Sequence, residues 1–384
     1  MTPVSSSLRP TIVLCGWRLH SFKLCGAMGL VLATALAGVL ISEAGLSHWV
    51  GGGLLASGVL TFLVLAMVSK ILTGREALIY YHHEVAVLAS AALLLSLLAL
   101  PVLPYLDLNA LWLGVFLACG RCGCLMVGCC HGRPHRWGVR YGEDHAAEGF
   151  PACYVGVRLF PVQVLEALVV ISIVAVGTWQ FLQGRPAGTV LSTYVVSYSV
   201  ARIWLEELRG DDARPHWGRF SEAQWTSLLL VAGALLGEWQ GRLPWSGWHF
   251  ALGAAAAVSM LVLAGTRRAQ HAVLHPRHAS EVADIVRRLE ASQGGAVSVR
   301  RTSQSIGIST QSLGRLREAR TVLYSLSRAD RRLKPDEARA LAGLITQLAR
   351  AQPCCELRPG GHGVFHLILR DAQQPDREKG ALHA

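Results

Sequence analysis

Gly120-Arg121-Cys122-Gly123-Cys124-Leu125-Met126-Val127-Gly128-Cys129-Cys130-His131-Gly132-Arg133-Pro134 follows closely on the apolar run Leu108–Ala118. That run reads as membrane-embedded, so Arg121 falls near the end of a transmembrane helix. An arginine costs about 2.5–3.5 kcal/mol at the centre of such a helix on insertion scales, and less near its ends. The cost is tolerated where the guanidinium meets an anion, and the abundant anion of a bilayer is lipid phosphate. Phospholipid chemistry is the first expectation from this stretch.

The surroundings agree. The 384 residues are 52% hydrophobic and 16% charged, against about 25% charged in an ordinary soluble domain. Apolar runs of roughly 20 residues, enough to cross a hydrocarbon core, recur at Phe22–Ser42, Gly51–Ile71, Glu84–Leu103, Leu108–Val127, Gln163–Phe181, Gly188–Leu208, Glu222–Glu238 and Trp248–Gly265. The seventh is short, so seven or eight spans are expected. The first is too long and too far from Met1 for a cleaved signal peptide, and more spans follow it. Several tryptophans, Trp49, Trp179 and Trp239 among them, fall near span ends, where interfacial belts form.

The net charge of +11 is concentrated at the C-terminal end: from Arg267 onward there are 20 Lys and Arg against 11 Asp and Glu. Such a tail normally lies on the cytoplasmic side, near anionic headgroups; no motif supports nucleic-acid binding, and none is expected. Within it Ser280–Glu290 has helical periodicity and Ala296–Arg301 alternates like a strand. Lys334-Pro335-Asp336-Glu337 opens a helix over Ala338–Arg350 with a proline and an acidic first turn. Val364–Leu369 reads as a final strand. The expected fold is an all-α polytopic membrane protein with seven or eight transmembrane helices and a small soluble α/β C-terminal domain. Its expected divisions are 1–21, 22–265 and 266–384.

Three other clusters carry polar chemistry. Tyr80-Tyr81-His82-His83-Glu84 places two imidazoles and a carboxylate at a membrane boundary, as a general base with an orienting partner requires; a snorkelling interfacial cluster is the alternative. Either His82 or His83 could be the base. Gln163 and Glu166 share one helix face at the head of a span. They are costly there unless they face the bundle interior, although capping or helix–helix bonding would also account for Gln163. Arg202, Glu206 and Arg209 form one stripe at i, i+4 and i+7. The stripe is either an ion-paired tie or an arginine held by a carboxylate so that it can meet phosphate. With Arg121 also near a span end, one anion site shared by Arg121 and Arg202 is plausible.

Cys119, Cys122, Cys124, Cys129 and Cys130 with His131 would suit zinc or an iron–sulfur centre if taken alone. The spacing matches no two-knuckle pattern, however, and Cys119 and Cys122 lie inside an apolar helix, where a free thiol behaves as a small hydrophobe. No metal and no cofactor is expected, nor a strained disulfide between the adjacent Cys129 and Cys130.

In this order these motifs resemble the prolipoprotein diacylglyceryl transferase family over roughly Pro10 to Gly237. The carriers are Gly120-Arg121-x-Gly123 with Gly128 and Gly132-Arg133, Pro161-x-Gln163-x-x-Glu166, Arg202-x-x-x-Glu206-x-x-Arg209, and Ser221-x-x-Gln224-x-x-Ser227. The resemblance implies transfer of the diacylglyceryl group of phosphatidylglycerol to a lipobox cysteine of a prolipoprotein, at the bacterial plasma (inner) membrane. It implies catalytic roles for His82 or His83, Arg121 and Arg202. It also implies substrate contacts from Gly123, Gln163, Glu166, Glu206, Arg209 and His131. Family members write an aromatic, a histidine and two glycines around His82; here His83 and Glu84 follow it. They carry asparagine at Cys124 and glutamate at Cys129, and a tyrosine where Phe22 stands. The run Gly123-Cys124-x-x-x-Gly128-Cys129-Cys130 is similar to a divergent, cysteine-bearing branch.

That branch leaves other readings open: a related lipid transferase with another acceptor, or a non-catalytic lipid or metal sensor. A transporter ranks last, because no internal repeat or matched pair of broken helices is visible. The family places its N-terminus outside, so an eighth span would put the basic tail outside too. Either Trp248–Gly265 does not cross or the whole chain is inverted, and the first is the simpler expectation.

Overall fold

The computed structural model describes residues 8–14, 16–74, 80–211, 215–266, 273–292, 298–316, 319–348 and 354–370. A hairpin of β1 (Thr11–Leu14) and β2 (Trp17–His20) leads into α1 (Ser21–Glu43), α2 (His48–Thr73), α3 (Tyr80–Leu97) and α4 (Val102–Val127). After a polar insert come α6 (Val162–Leu182), α7 (Thr189–Leu208), a small hairpin of β5 (His216–Trp217) and β6 (Phe220–Ser221), α8 (Glu222–Trp239) and α9 (Gly247–Thr266); the insert itself holds β3 (Pro134–Arg140), the short α5 (Glu143–Ala147) and β4 (Arg158–Leu159). Among the described residues α1, α2, α4, α6 and α9 are long and apolar enough to cross a membrane, and α3 is a shorter apolar helix. All eight apolar runs of the sequence are helical, and α7 and α8 carry many of the polar residues singled out above.

α4 is the most enclosed of these long helices. Small residues let its neighbours close in: Gly114 lies against Val174 and Tyr194, and Gly177 of α6 against Leu111, as packing in an apolar medium favours. One polar contact sets the register of α7 on α4. The buried carboxylate of Asp107 accepts from the backbone N–H of Gly188 and of Leu191, each at 2.7 Å, satisfying orphan donors at the start of α7 and complementing its dipole. Arg121 lies 14 residues beyond Asp107, and Arg202 lies 14 residues beyond Gly188. At about 1.5 Å per residue both arginines stand about 21 Å further along, at one depth.

α9 runs back along α8: Gly253 meets Leu235 and Val231, and the Arg219 guanidinium, near the start of α8, donates to the Ala264 carbonyl. At the far end the buried His249 and Glu238 pair. The chain after α9 therefore emerges on the side where α4 ends and α6 begins.

Beyond it, α10 (Pro276–Ala291) and α11 (Pro335–Leu348) pack on a five-stranded antiparallel sheet. Its order is β10 (Cys354–Pro359), β11 (Phe365–Arg370), β9 (Ala319–Arg328), β8 (Ile306–Leu316) and β7 (Arg300–Arg301). The expected helices and last strand are present, and the expected Ala296–Arg301 strand is found at Arg300–Arg301, its first two residues lying outside the described ones. Val282, Val286, Leu289, Ile306, Leu326 and Leu341 share one core with Tyr141, Phe150, Tyr154 and Leu159 of the insert. This C-terminal unit thus sits on the polar insert.

Candidate functional site

Where α4, α6 and α7 meet at the insert, four charged side chains are buried together. Arg121 Nε lies 2.8 Å from Glu166 Oε2, and Arg202 Nε lies 4.0 Å from Glu166 Oε1. Arg202 Nη2 pairs at 2.8 Å with Glu206 Oε2, one turn further along α7. The Tyr198 hydroxyl donates to Glu166 Oε1 at 2.8 Å. Arg121, Glu166 and Arg202 are each no more than 5% exposed. One carboxylate thus bridges two guanidiniums from two parallel helices, and the cluster keeps excess donors: Nη1 of Arg202 is buried and has no hydrogen-bond partner among the described residues. A buried charged donor in that state calls for an anionic acceptor.

The wall beside it is a strap of backbone. Gly128, in the left-handed region at φ +82°, ends α4, as a glycine cap does. The chain then runs past α6 and α7: Gly132 N–H donates to Phe160 O, Arg133 N–H to Leu208 O, and Gly210 N–H to His131 O, at 3.0–3.1 Å. A Cβ on Gly132 would stand 2.5 Å from the Phe160 carbonyl oxygen, so glycine is required there. Gln163 Nε2 donates to Cys129 O at 2.8 Å, which ties α6 to the strap. Arg209 is buried, held by both oxygens of Asp211 at 2.7–2.8 Å, and its Nη1 likewise lacks a partner among the described residues.

Two expected contact residues have packing positions. Gly123 brings α4 onto α1, where a Cβ would stand 3.1 Å from the Phe22 Cα. His131 is buried between Phe150 and Tyr154 and donates from Nδ1 to the Gly132 carbonyl. Burial lowers its pKa below the usual histidine value.

The two candidate bases separate clearly. His82 is 44% exposed and pairs through Nε2 with Glu222 Oε1, the first residue of α8, at 2.9 Å. With the proton held on Nε2 towards the carboxylate, Nδ1 is the basic lone pair. His83 is buried, its ring 4.4 Å from that of Phe62. Beside it the buried Glu84 accepts from the Tyr194 hydroxyl at 2.6 Å. A largely apolar cleft of about 450 Å³, lined by Leu65, Val68, Leu72, His82, Val85 and Thr226, opens beside His82 between α2, α3 and α8.

The structure thus brings together Arg121, Glu166, Arg202 and Glu206, with Gln163 of α6 and Arg209 at the end of α7 bonded to the adjoining strap. Glu222, Tyr198, Tyr194 and Asp107 complete the arrangement and were not singled out from the sequence. Ser221 and Gln224 form a capping box at the start of α8, and Gln224 Nε2 donates to Glu207 at 2.6 Å. The cysteines do not all act as packing groups: the sulfurs of Cys124, Cys129 and Cys130 lie within 4.8 Å of one another.

A bundle of long apolar helices with paired guanidiniums buried at one end defines a membrane-type helical protein with a charged cluster inside it. The chain belongs to the prolipoprotein diacylglyceryl transferase family, whose family model matches residues 10–239. It is 31% identical over 137 residues to phosphatidylglycerol–prolipoprotein diacylglyceryl transferase 2 of Clostridium perfringens (strain 13 / Type A), covering 35% of this chain and 51% of that one. It is 30% identical over 132 residues to phosphatidylglycerol–prolipoprotein diacylglyceryl transferase of Clostridium tetani (strain Massachusetts / E88), covering 34% and 50%. The chain spans about half the length of these relatives.

Proposed function

We propose that the protein transfers the diacylglyceryl group of phosphatidylglycerol to the cysteine thiol of a lipobox in a prolipoprotein, at a bacterial plasma membrane. The observation that carries this reading is the pair Arg121 and Arg202, held at one depth around Glu166 with a guanidinium nitrogen to spare. The lipid phosphate takes the free donors, and the acyl chains occupy the cleft along α2, α3 and α8. His82 Nδ1, oriented by Glu222, accepts the thiol proton. The thiolate sulfur then bonds to the terminal glyceryl carbon as that carbon's bond to the phosphate oxygen breaks. The electron pair leaves on glycerol phosphate, whose developing charge the two guanidiniums stabilise. Arg209, Gln163, Glu166 and Glu206 keep the arginines and strap in place, and His131 and Gly123 hold the elements that carry them.

We also propose that all eight long helices cross the bilayer, so that 266–384 forms a separate α/β unit on the same face as the N-terminus and the site. The divisions 1–21 and 22–265 then stand as segment and transmembrane unit. The test is purified protein in detergent with phosphatidylglycerol labelled in its acyl chains and a lipobox peptide. Label is expected on the cysteine peptide, with glycerol phosphate released in equal amount and none transferred to a serine peptide. Transfer to the serine peptide, or none to the cysteine peptide by stable protein, would reject the reading.

A further inference from the structure

Three thiols converge where α4 ends. Cys124 is buried on the last turn of the helix, and Cys129 and Cys130 follow the left-handed Gly128. Cys130 is itself left-handed, at φ +57°, a conformation that a non-glycine residue keeps only where its surroundings impose it. This reversal folds both thiols back on Cys124, all three sulfurs lying within 4.8 Å of one another. In a tetrahedral zinc thiolate with bonds of about 2.3 Å the sulfurs stand roughly 3.8 Å apart, a contraction that small side-chain rotations supply. Three thiolates around one divalent ion carry a net single negative charge. Cationic groups stand ready for it: Arg121 Nη1 is 4.0 Å from Cys124 Sγ, and Arg209 is close to Cys130. Cys124 is buried and Cys130 half-buried, but Cys129 is exposed, so one side stays open. An iron–sulfur cluster would ask for four such ligands; three with one open position is the donor set of a catalytic zinc.

We propose that Cys124, Cys129 and Cys130 form a mononuclear zinc site whose open fourth position takes the sulfur of the acceptor cysteine. The second half rests on the function proposed above. A thiol bound to zinc gives up its proton, here to His82 or to water. The zinc-held sulfur then bonds to the glyceryl carbon while the carbon–oxygen bond breaks and the electron pair leaves with the phosphate, next to Arg121. No oxidant or reductant is needed.

The experiment starts with elemental analysis of the full chain, purified under reducing conditions and loaded with zinc. Wild type and Cys122→Ser, whose exposed thiol lies outside the cluster, should each retain about one zinc per chain, and Cys124→Ser and Cys130→Ser below about a tenth of that, since metal affinity depends on the complete thiolate set. All four are checked for an unchanged elution profile. Cobalt(II) then replaces zinc in wild type, and a lipobox peptide is added. The thiolate-to-cobalt absorption should rise with a cysteine peptide and stay unchanged with a serine peptide. Wild type that retains no zinc, or variants that retain as much, would overturn the site. A cobalt spectrum unmoved by the cysteine peptide would overturn the fourth ligand. Zinc-loaded protein that passes both tests yet transfers no lipid would instead reject the proposed reaction and leave the metal site standing.

Discussion

Arg121 and Arg202 share a carboxylate, yet they are not equivalent. Among the described residues Arg121 meets one carboxylate within ion-pair distance, that of Glu166, whereas Arg202 also holds Glu206. Lysine at position 121 keeps the charge but loses the planar fork. Arg121→Lys is therefore expected to lower the turnover of labelled lipid by at least about 100-fold, the loss typical of removing a donor aimed at developing charge, with the fold retained. Glu222→Gln keeps a hydrogen-bond acceptor for His82 but removes the charged partner that orients its ring. Turnover should fall by about tenfold or more and the KM for lipid should hold, the mark of a positioning residue rather than a lipid contact. His131 offers a pH test. Burial among Phe150 and Tyr154 depresses its folded pKa below 6.5, so the unfolded chain binds more protons and stability falls as the pH is lowered. Its contribution is complete above about pH 6.5 and is lost as the pH drops through the lower folded value. The melting temperature in detergent should decline from about pH 8 to pH 5 more steeply in wild type than in His131→Asn, which keeps a donor for Gly132 without titrating. Parallel declines would remove His131 as the cause.

Helices set these residues in place through contacts that cross the sequence. Asp107→Ala would leave the N–H groups of Gly188 and Leu191 uncapped, and a loss of about 1–2 kcal/mol is expected. Arg202 would lose its fixed depth relative to Arg121, so activity should fall together with the melting temperature. A stable but inactive variant would point to a more direct role for Asp107. Much at this scale was legible beforehand, because a polar residue in an apolar run stands out: Arg121, Gln163, Glu166 and Arg202 were visible for that reason. Their partners were not, since Tyr194 meets Glu84, and Glu222 meets His82, across 110 and 140 residues. A tyrosine in a helix or a glutamate at a helix start is unremarkable until the fold supplies its neighbour. The long hairpin of β8 and β9 was hidden differently. Its first strand, Ile306-Gly307-Ile308-Ser309-Thr310, alternates inward isoleucines with small polar residues that read as loop, and only pairing with β9 settles them. The cysteine cluster was set aside as a metal site because sequence spacing does not reveal the left-handed Gly128 and Cys130 that flank Cys129 and turn the thiols towards Cys124.

For the whole molecule, α9 decides on which face the C-terminal unit lies. Its return along α8 places 273–370 against the insert that walls the site, in one shared core. The net charge of the tail alone favours the cytoplasmic face; under the proposal that all eight helices cross, the core joining Val282 and Leu289 to Tyr154 and Leu159 holds the unit on the face of the site. Single cysteines placed in a background without accessible thiols, one in β1 and one in the η-turn Gly361–Gly363, should react with a membrane-impermeant maleimide from the same side of the cell membrane. Labelling from opposite sides would show that one long helix fails to cross. The central claim, one phosphate held by two arginines for transfer to a thiol, is tested most directly by complementation. A bacterial strain depleted of its own transferase receives wild type, Arg121→Ala or Arg202→Ala, each shown to be inserted and stable. Rescue by wild type with loss in both variants is the predicted result; rescue by either variant, or none by wild type, would contradict the account.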